Sequence, residues 1–109
     1  MSSGSTGYSK EYIEALITDK AALAGIDPKI LLAIAKAESG FQQKWNYMNP
    51  TGDPNSIYSA YGVFQIIKTN EIKYGISRMT LEGNISLAIQ IYLFEGTTPW
   101  NISKHNWSR

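Results

Sequence analysis

Residues 25–41, GIDPKILLAIAKAESGF, hold a helix whose two ends are written in the sequence. Asp27 followed by Pro28 is a start signal: a capping carboxylate, then a proline where its missing N–H costs nothing. Gly40 supplies the stop, because glycine accepts the left-handed backbone that ends a helix. At 3.6 residues per turn, Leu31, Ile34, Ala35 and Glu38 share one face, flanked by Ile30 and Ala37, with Lys29 and Lys36 nearly opposite. A glutamate thus stands in the middle of an apolar face. The positions three and four residues away are Ile34, Ala35, Phe41 and Gln42, so no neighbour one turn away neutralises it. Desolvation and the negative end of the helix dipole are both expected to raise its pKa, which suits a general acid. The competing expectation is a glutamate that bends outward at the helix end or pairs with a distant Lys or Arg.

Outward from that helix, the pattern stays helical and almost nothing alternates with period two. Ser9 can cap a surface helix running to about Ala24, with Tyr12, Ile13, Leu16, Ile17 and Leu23 on one side and Gly25 as its stop. Residues 42–61 read as a long polar and aromatic loop able to hold a turn or short hairpin. A third helix is expected over Phe64–Tyr74, ended by Gly75, and a fourth over Thr80–Glu95, ended by Gly96. Pro99–Trp107 reads as a short irregular or helical tail. The fourth segment is apolar nearly all round through Ile85, Leu87, Ala88, Ile89, Ile91, Tyr92, Leu93 and Phe94, and such a helix belongs at the centre of a domain. The expected class is therefore mainly α: a central apolar helix wrapped by several others, with a long loop or small hairpin beside a cleft.

With 109 residues, 43% of them hydrophobic and 17% charged, the chain supports one core and not two. Residues 1–8, rich in Ser and Gly, are expected to form a flexible leader, and residues 9–109 the domain. A net charge of +1 gives no field to hold nucleic acid. The absence of cysteine, with His105 the one histidine, removes a thiolate zinc site, a cysteine nucleophile and a two-histidine metal site. From the pattern of this sequence neither a signal peptide nor a membrane span is expected in it. A Ser–His triad is disfavoured, since His105 lies near the terminus and no nucleophile-elbow sequence occurs.

Most other carboxylates have local explanations: Asp27 as a cap, Glu11, Glu14 and Glu82 in first helical turns, and Asp19 further along the first helix. Asp53, in the long loop, and Glu71, on the third helix, are the plausible second carboxylates beside Glu38. In and just before the loop stand Phe41, Trp45, Tyr47, Tyr58 and Tyr61 among Asn46, Asn49, Asn55, Ser56 and Ser59. Flat apolar faces interleaved with hydroxyl-matching groups suit pyranose rings. Phe41 and at least one tyrosine are expected to pack on the core instead.

The ESGF end of the helix (38–41), its lead GIDPKILLAIA (25–35), the later AYGVFQII (60–67) and Asn84-Ile85 opening the apolar helix resemble the soluble lytic transglycosylase family. Pro99-Trp100, Ser103 and Trp107 are similar to the ending of some short members. The resemblance runs over about residues 9–107 and implies a goose-type lysozyme-like fold. It implies Glu38 as the single catalytic acid/base and Gln65 as a glycan contact. Gly62 would allow close approach at the cleft floor, and Ser56 would position muramyl substituents. Tyr61, Phe64 and Tyr47 would join the substrate-binding set, with Tyr92 a candidate by position for the family's tyrosine, whose usual AYNAG segment is missing. Ile67 stands where goose-type lysozymes carry an acidic residue. The implied activity is cleavage of the MurNAc–GlcNAc β-1,4 bond of peptidoglycan strands by a monomer without cofactor or metal. Its place of action would be the cell wall, reached as a phage lysin or as a domain excised from an exported protein. Two alternatives remain: a muramidase using Asp53 or Glu71 to activate water, and a glycan-binding module without turnover.

Overall fold

In the computed structural model, which describes residues 8–44 and 60–103, Ser9 accepts the Tyr12 N–H at 3.1 Å and starts α1 (Lys10–Leu23). Asp27 accepts the Lys29 N–H at 3.0 Å and starts α2 (Pro28–Ser39), which Gly40 ends at φ 64°. Two short strands follow, β1 (Ala60–Tyr61) and β2 (Ile66–Ile67), paired antiparallel with Ala60 opposite Ile67. Then come α3 (Lys68–Tyr74), α4 (Leu81–Glu95), which Thr80 caps through the Gly83 N–H, and a 3₁₀ helix (Thr98–Ser103). The described residues are mainly helical, as the periodicity predicts, with one small hairpin among them.

Helix α1 is an amphipathic surface helix, as expected, though its inner stripe is narrower than the apolar residues suggest. Ile13, Ile17 and Ala21 are buried and face the core with α2 and α4, whereas Tyr12 and Leu23, expected on the inner side, lie outside. Tyr12 stacks on Tyr8 at 5.5 Å, and Leu23, the last residue of the helix, is 90% exposed. Helix α4 packs against α1, α3 and the 3₁₀ helix and buries Ile85, Leu87, Ala88, Ile89 and Ile91. Its last turn departs from the expectation, since Leu93 and Phe94 reach solvent.

The expected third helix is four residues too long at its start. Residues 62–65 form a turn, with Gln65 at φ 49°, and Ile66–Ile67 pair with β1 before α3 begins. Apolar periodicity over Val63, Phe64 and Ile66 does reflect burial. Yet the hydrogen bonds of this backbone go to side chains from elsewhere in the chain, which a local pattern does not register.

Candidate active site

Four side chains from separate parts of the chain satisfy all four backbone polar groups of the dipeptide Val63–Phe64. Gln43 Oε1 accepts the Val63 N–H at 2.9 Å, and Ser39 Oγ donates to the Val63 carbonyl at 2.7 Å. Asn84 Oδ1 accepts the Phe64 N–H at 3.0 Å, and Trp100 Nε1 donates to the Phe64 carbonyl at 3.0 Å. Ser39, Gln43, Asn84 and Trp100 are all buried. Buried backbone without partners would be costly, so these bonds fix the turn as firmly as a helix would.

Behind the turn, Arg78 completes the frame. Its carbonyl accepts from Gln43 Nε2 at 3.2 Å and Asn84 Nδ2 at 3.0 Å, and its Nη1 donates to the Ile66 carbonyl at 2.8 Å. Glu71 holds Arg78 in place: its Oε2 accepts the Arg78 N–H at 2.8 Å, and its Oε1 lies 3.7 Å from Nε. Burial pulls the Arg78 guanidinium below its ordinary pKa, and the Glu71 carboxylate opposes that shift.

Gly62 has a structural use that differs from the one expected. At φ 90° it is buried, and a Cβ there would stand 2.1 Å from Asn84 Nδ2 and 2.6 Å from Gln43 Oε1. Close approach is required, but by the two buried amides and not at an open cleft floor. Phe64 likewise leaves the substrate-binding set: it is wholly buried, its ring tilted against Trp100 at 6.2 Å. Gln65 stays half-buried. Its Nε2 donates to the carbonyls of Lys44 and Gly62, both at 2.8 Å, which holds a non-glycine residue in the left-handed region. Among the described residues Phe41 is the other such residue, at φ 63°, and its ring packs on the core as expected. Left-handed backbone at two non-glycine residues is strain that needs surrounding contacts to persist, and such strain clusters at functional sites.

Glu38 is half-buried in the last turn of α2. Its azimuth on the helix is central, but the fully buried stripe passes through Leu31, Ile34, Ala35 and Ser39, and Glu38 comes to the rim of the core. The Ser39–Val63 bond ties this helix end to the turn that carries Gln65. Tyr61 and Tyr92 are half-buried, Tyr92 packed against the core. Tyr47, Asp53 and Ser56, with Trp45, Tyr58, His105 and Trp107, lie outside the described residues. Among the described residues no group of three His, Cys, Asp or Glu side chains converges, and no helix is long and apolar enough to cross a membrane.

Ser39, Gln43, Arg78 and Trp100 escaped the sequence reading as parts of this frame. The available signals were weak: a serine in register with the apolar stripe of α2, and Asn84 as one of two amides, with Gln90, in a largely apolar helix. Compared with known protein families, characterised proteins and solved structures, the chain shows no match.

Proposed function

We propose that the chain is a peptidoglycan lytic transglycosylase with a lysozyme-like fold, in which Glu38 acts as the single acid/base. The observation that carries the proposal is the Ser39–Val63 hydrogen bond, which fixes the Glu38 helix end to the strained turn bearing Gln65. General acid catalysis on a bound sugar needs an acid on a rigid support, and this bond gives the end of α2 such a support. The resemblance of ESGF and AYGVFQII to the family's motifs adds the substrate class. Glu71, a candidate for activating water, is engaged by Arg78, which favours the single-acid route over hydrolysis.

In the proposed reaction, protonated Glu38 donates to the glycosidic oxygen while the 2-acetamido oxygen of the muramyl residue attacks its anomeric carbon. The bond to the leaving GlcNAc breaks and an oxazolinium intermediate forms. Glu38, now a carboxylate, takes the proton of the C6 hydroxyl, whose oxygen closes on the anomeric carbon and displaces the acetamido oxygen. A 1,6-anhydro end results, and no water is consumed.

Digesting purified cell walls and weighing the fragments tests this. Anhydro ends, lighter by one water than hydrolysed ends, are the expected product. Reducing ends would make the protein a muramidase, and intact walls with bound protein would make it a glycan-binding module.

A further inference from the structure

The chain leaves α2 through a strained exit. Gly40 and Phe41 stand in the left-handed region one after the other, at φ 64° and 63°, directly after Glu38 and Ser39. Left-handed backbone at a phenylalanine persists only where contacts on both sides hold it. On the near side, Ser39 Oγ donates to the Val63 carbonyl at 2.7 Å and accepts the Gln42 N–H at 3.1 Å, and the Phe41 side chain is buried. On the far side, Gln43 Oε1 accepts the Val63 N–H, and the Lys44 carbonyl takes two donors, the Gly62 N–H and Gln65 Nε2, each at 2.8 Å. Gln65 Nε2 donates to the Gly62 carbonyl as well, also at 2.8 Å, so one carboxamide joins the two segments where they meet.

We propose that Gln65 is a positioning residue for Glu38: its carboxamide fastens the far end of this strained exit and so keeps the last turn of α2 from relaxing. The role rests on the proposed reaction with Glu38 as its acid, and it differs from the glycan contact that the family resemblance implies. Gln65 must turn Nε2 toward the carbonyls of Lys44 and Gly62, since its oxygen there would face two oxygens. A carboxamide has two N–H bonds, and these two carbonyls take both, so no donor is left for a sugar. Without the amide, the Lys44 carbonyl loses one of its two donors and the strain at Phe41 loses part of its restraint. Strain of this kind is relieved most easily at a helix end, where the last carbonyls lack intrahelical partners, and Glu38 stands in that turn. A displaced acid slows the chemical step and leaves ground-state binding of the sugar unchanged.

Two substitutions separate the donor from the acceptor. Gln65→Glu keeps the length and an acceptor but sets a carboxylate against two carbonyls, whereas Gln65→Lys offers donors and no acceptor. With soluble peptidoglycan fragments as substrate, Gln65→Glu should lower kcat about tenfold, the order of one to two neutral hydrogen bonds, and leave KM within about twofold of the wild type. Gln65→Lys should recover most of the lost kcat. Hydrogen exchange at the Gly62 N–H, which is bonded to the Lys44 carbonyl, should be faster in Gln65→Glu and return toward the wild-type rate in Gln65→Lys. A loss carried by KM with kcat unchanged would make Gln65 a sugar contact and overturn the proposal. So would equal loss of kcat in both variants, or a wild-type kcat in folded Gln65→Glu. If Gln65→Glu does not fold, Gln65→Met, which has the length but neither donor nor acceptor, takes its place in the same comparison. Wall digestion by the wild type separates the two proposals: cleavage without the expected kcat pattern sinks the positioning role only. No cleavage, with the expected exchange pattern, sinks the transglycosylase and leaves the fastening of Lys44 by Gln65.

Discussion

Asn84 holds the turn from both sides: its Oδ1 accepts the Phe64 N–H at 3.0 Å, and its Nδ2 donates to the Tyr61 carbonyl at 2.9 Å and the Arg78 carbonyl at 3.0 Å. One buried amide in a largely apolar helix thereby fixes the segment between β1 and β2. Asn84→Ala leaves three backbone groups without this partner, and each buried orphan costs about 1–3 kcal/mol. We expect a loss of about 2–4 kcal/mol in urea unfolding. A change below about 0.5 kcal/mol, the level of an ordinary surface substitution, would mean that water replaces the amide at little cost.

Gly62→Ala should be as damaging by another route. The new methyl would collide with the Asn84 and Gln43 amides, and an alanine at φ 90° is strained in itself. A destabilisation of about 2 kcal/mol or more is expected, with displaced Asn84 and Gln43 side-chain amide signals in the NMR spectrum. Native stability with unmoved signals would contradict the packing described for this turn.

Glu38→Gln keeps shape but removes the proton that the proposed chemistry transfers. Wall cleavage should fall by about two to four orders of magnitude, with thermal unfolding close to that of the wild type. Retained cleavage in a folded variant would remove Glu38 as the acid.

Glu71→Gln separates support from catalysis. The amide oxygen can still accept the Arg78 N–H, but the charge beside a nearly buried guanidinium is gone. Stability should drop by about 1–3 kcal/mol, less than full removal of a partner from a buried pair. Activity should fall only modestly, and the products should remain anhydro ends. A rate loss on the order of a hundredfold or more, with reducing ends in the wild-type digest, would instead identify Glu71 as a water-activating base. Asp53→Asn is expected to be the more sensitive of the two, and neither should be essential.

Glu95 joins α4 to α3 by accepting from the Tyr74 hydroxyl and from Lys73 Nζ at 3.1 Å. The Tyr74 hydrogen bond first, and the Lys73 ammonium next, hold this carboxyl below its ordinary range against a smaller effect of burial. A carboxylate depressed in the folded state contributes stability that is fully present above the ordinary glutamate value of about 4.3 and is lost as pH falls through the folded value. Glu95→Gln should therefore melt slightly below the wild type at neutral pH, and the gap should close in acid. A gap that widens below pH 4 would reverse the sign of the argument. The effect is small because the pair is largely exposed.

Helix existence and helix ends were decided locally, and so the sequence determined them. Ser9, Asp27-Pro28, Gly40, Gly75 and Thr80 act on backbone groups within four residues of themselves, and the buried stripes of α2 and α4 follow from a 3.6-residue period. The presence of Glu38 at the end of an apolar face was legible for the same reason. What only the tertiary structure decided is the segment 60–67, where Ser39, Gln43, Asn84 and Trp100 bond to Val63 and Phe64 from 20 to 36 residues away. Hydrogen bonds at that separation leave no periodic trace, so a stretch with helical apolar spacing became a turn and a strand. The same contacts turned Phe64 and Gly62 from expected sugar contacts into core, because each backbone group in that turn needed a buried partner and each partner needed room.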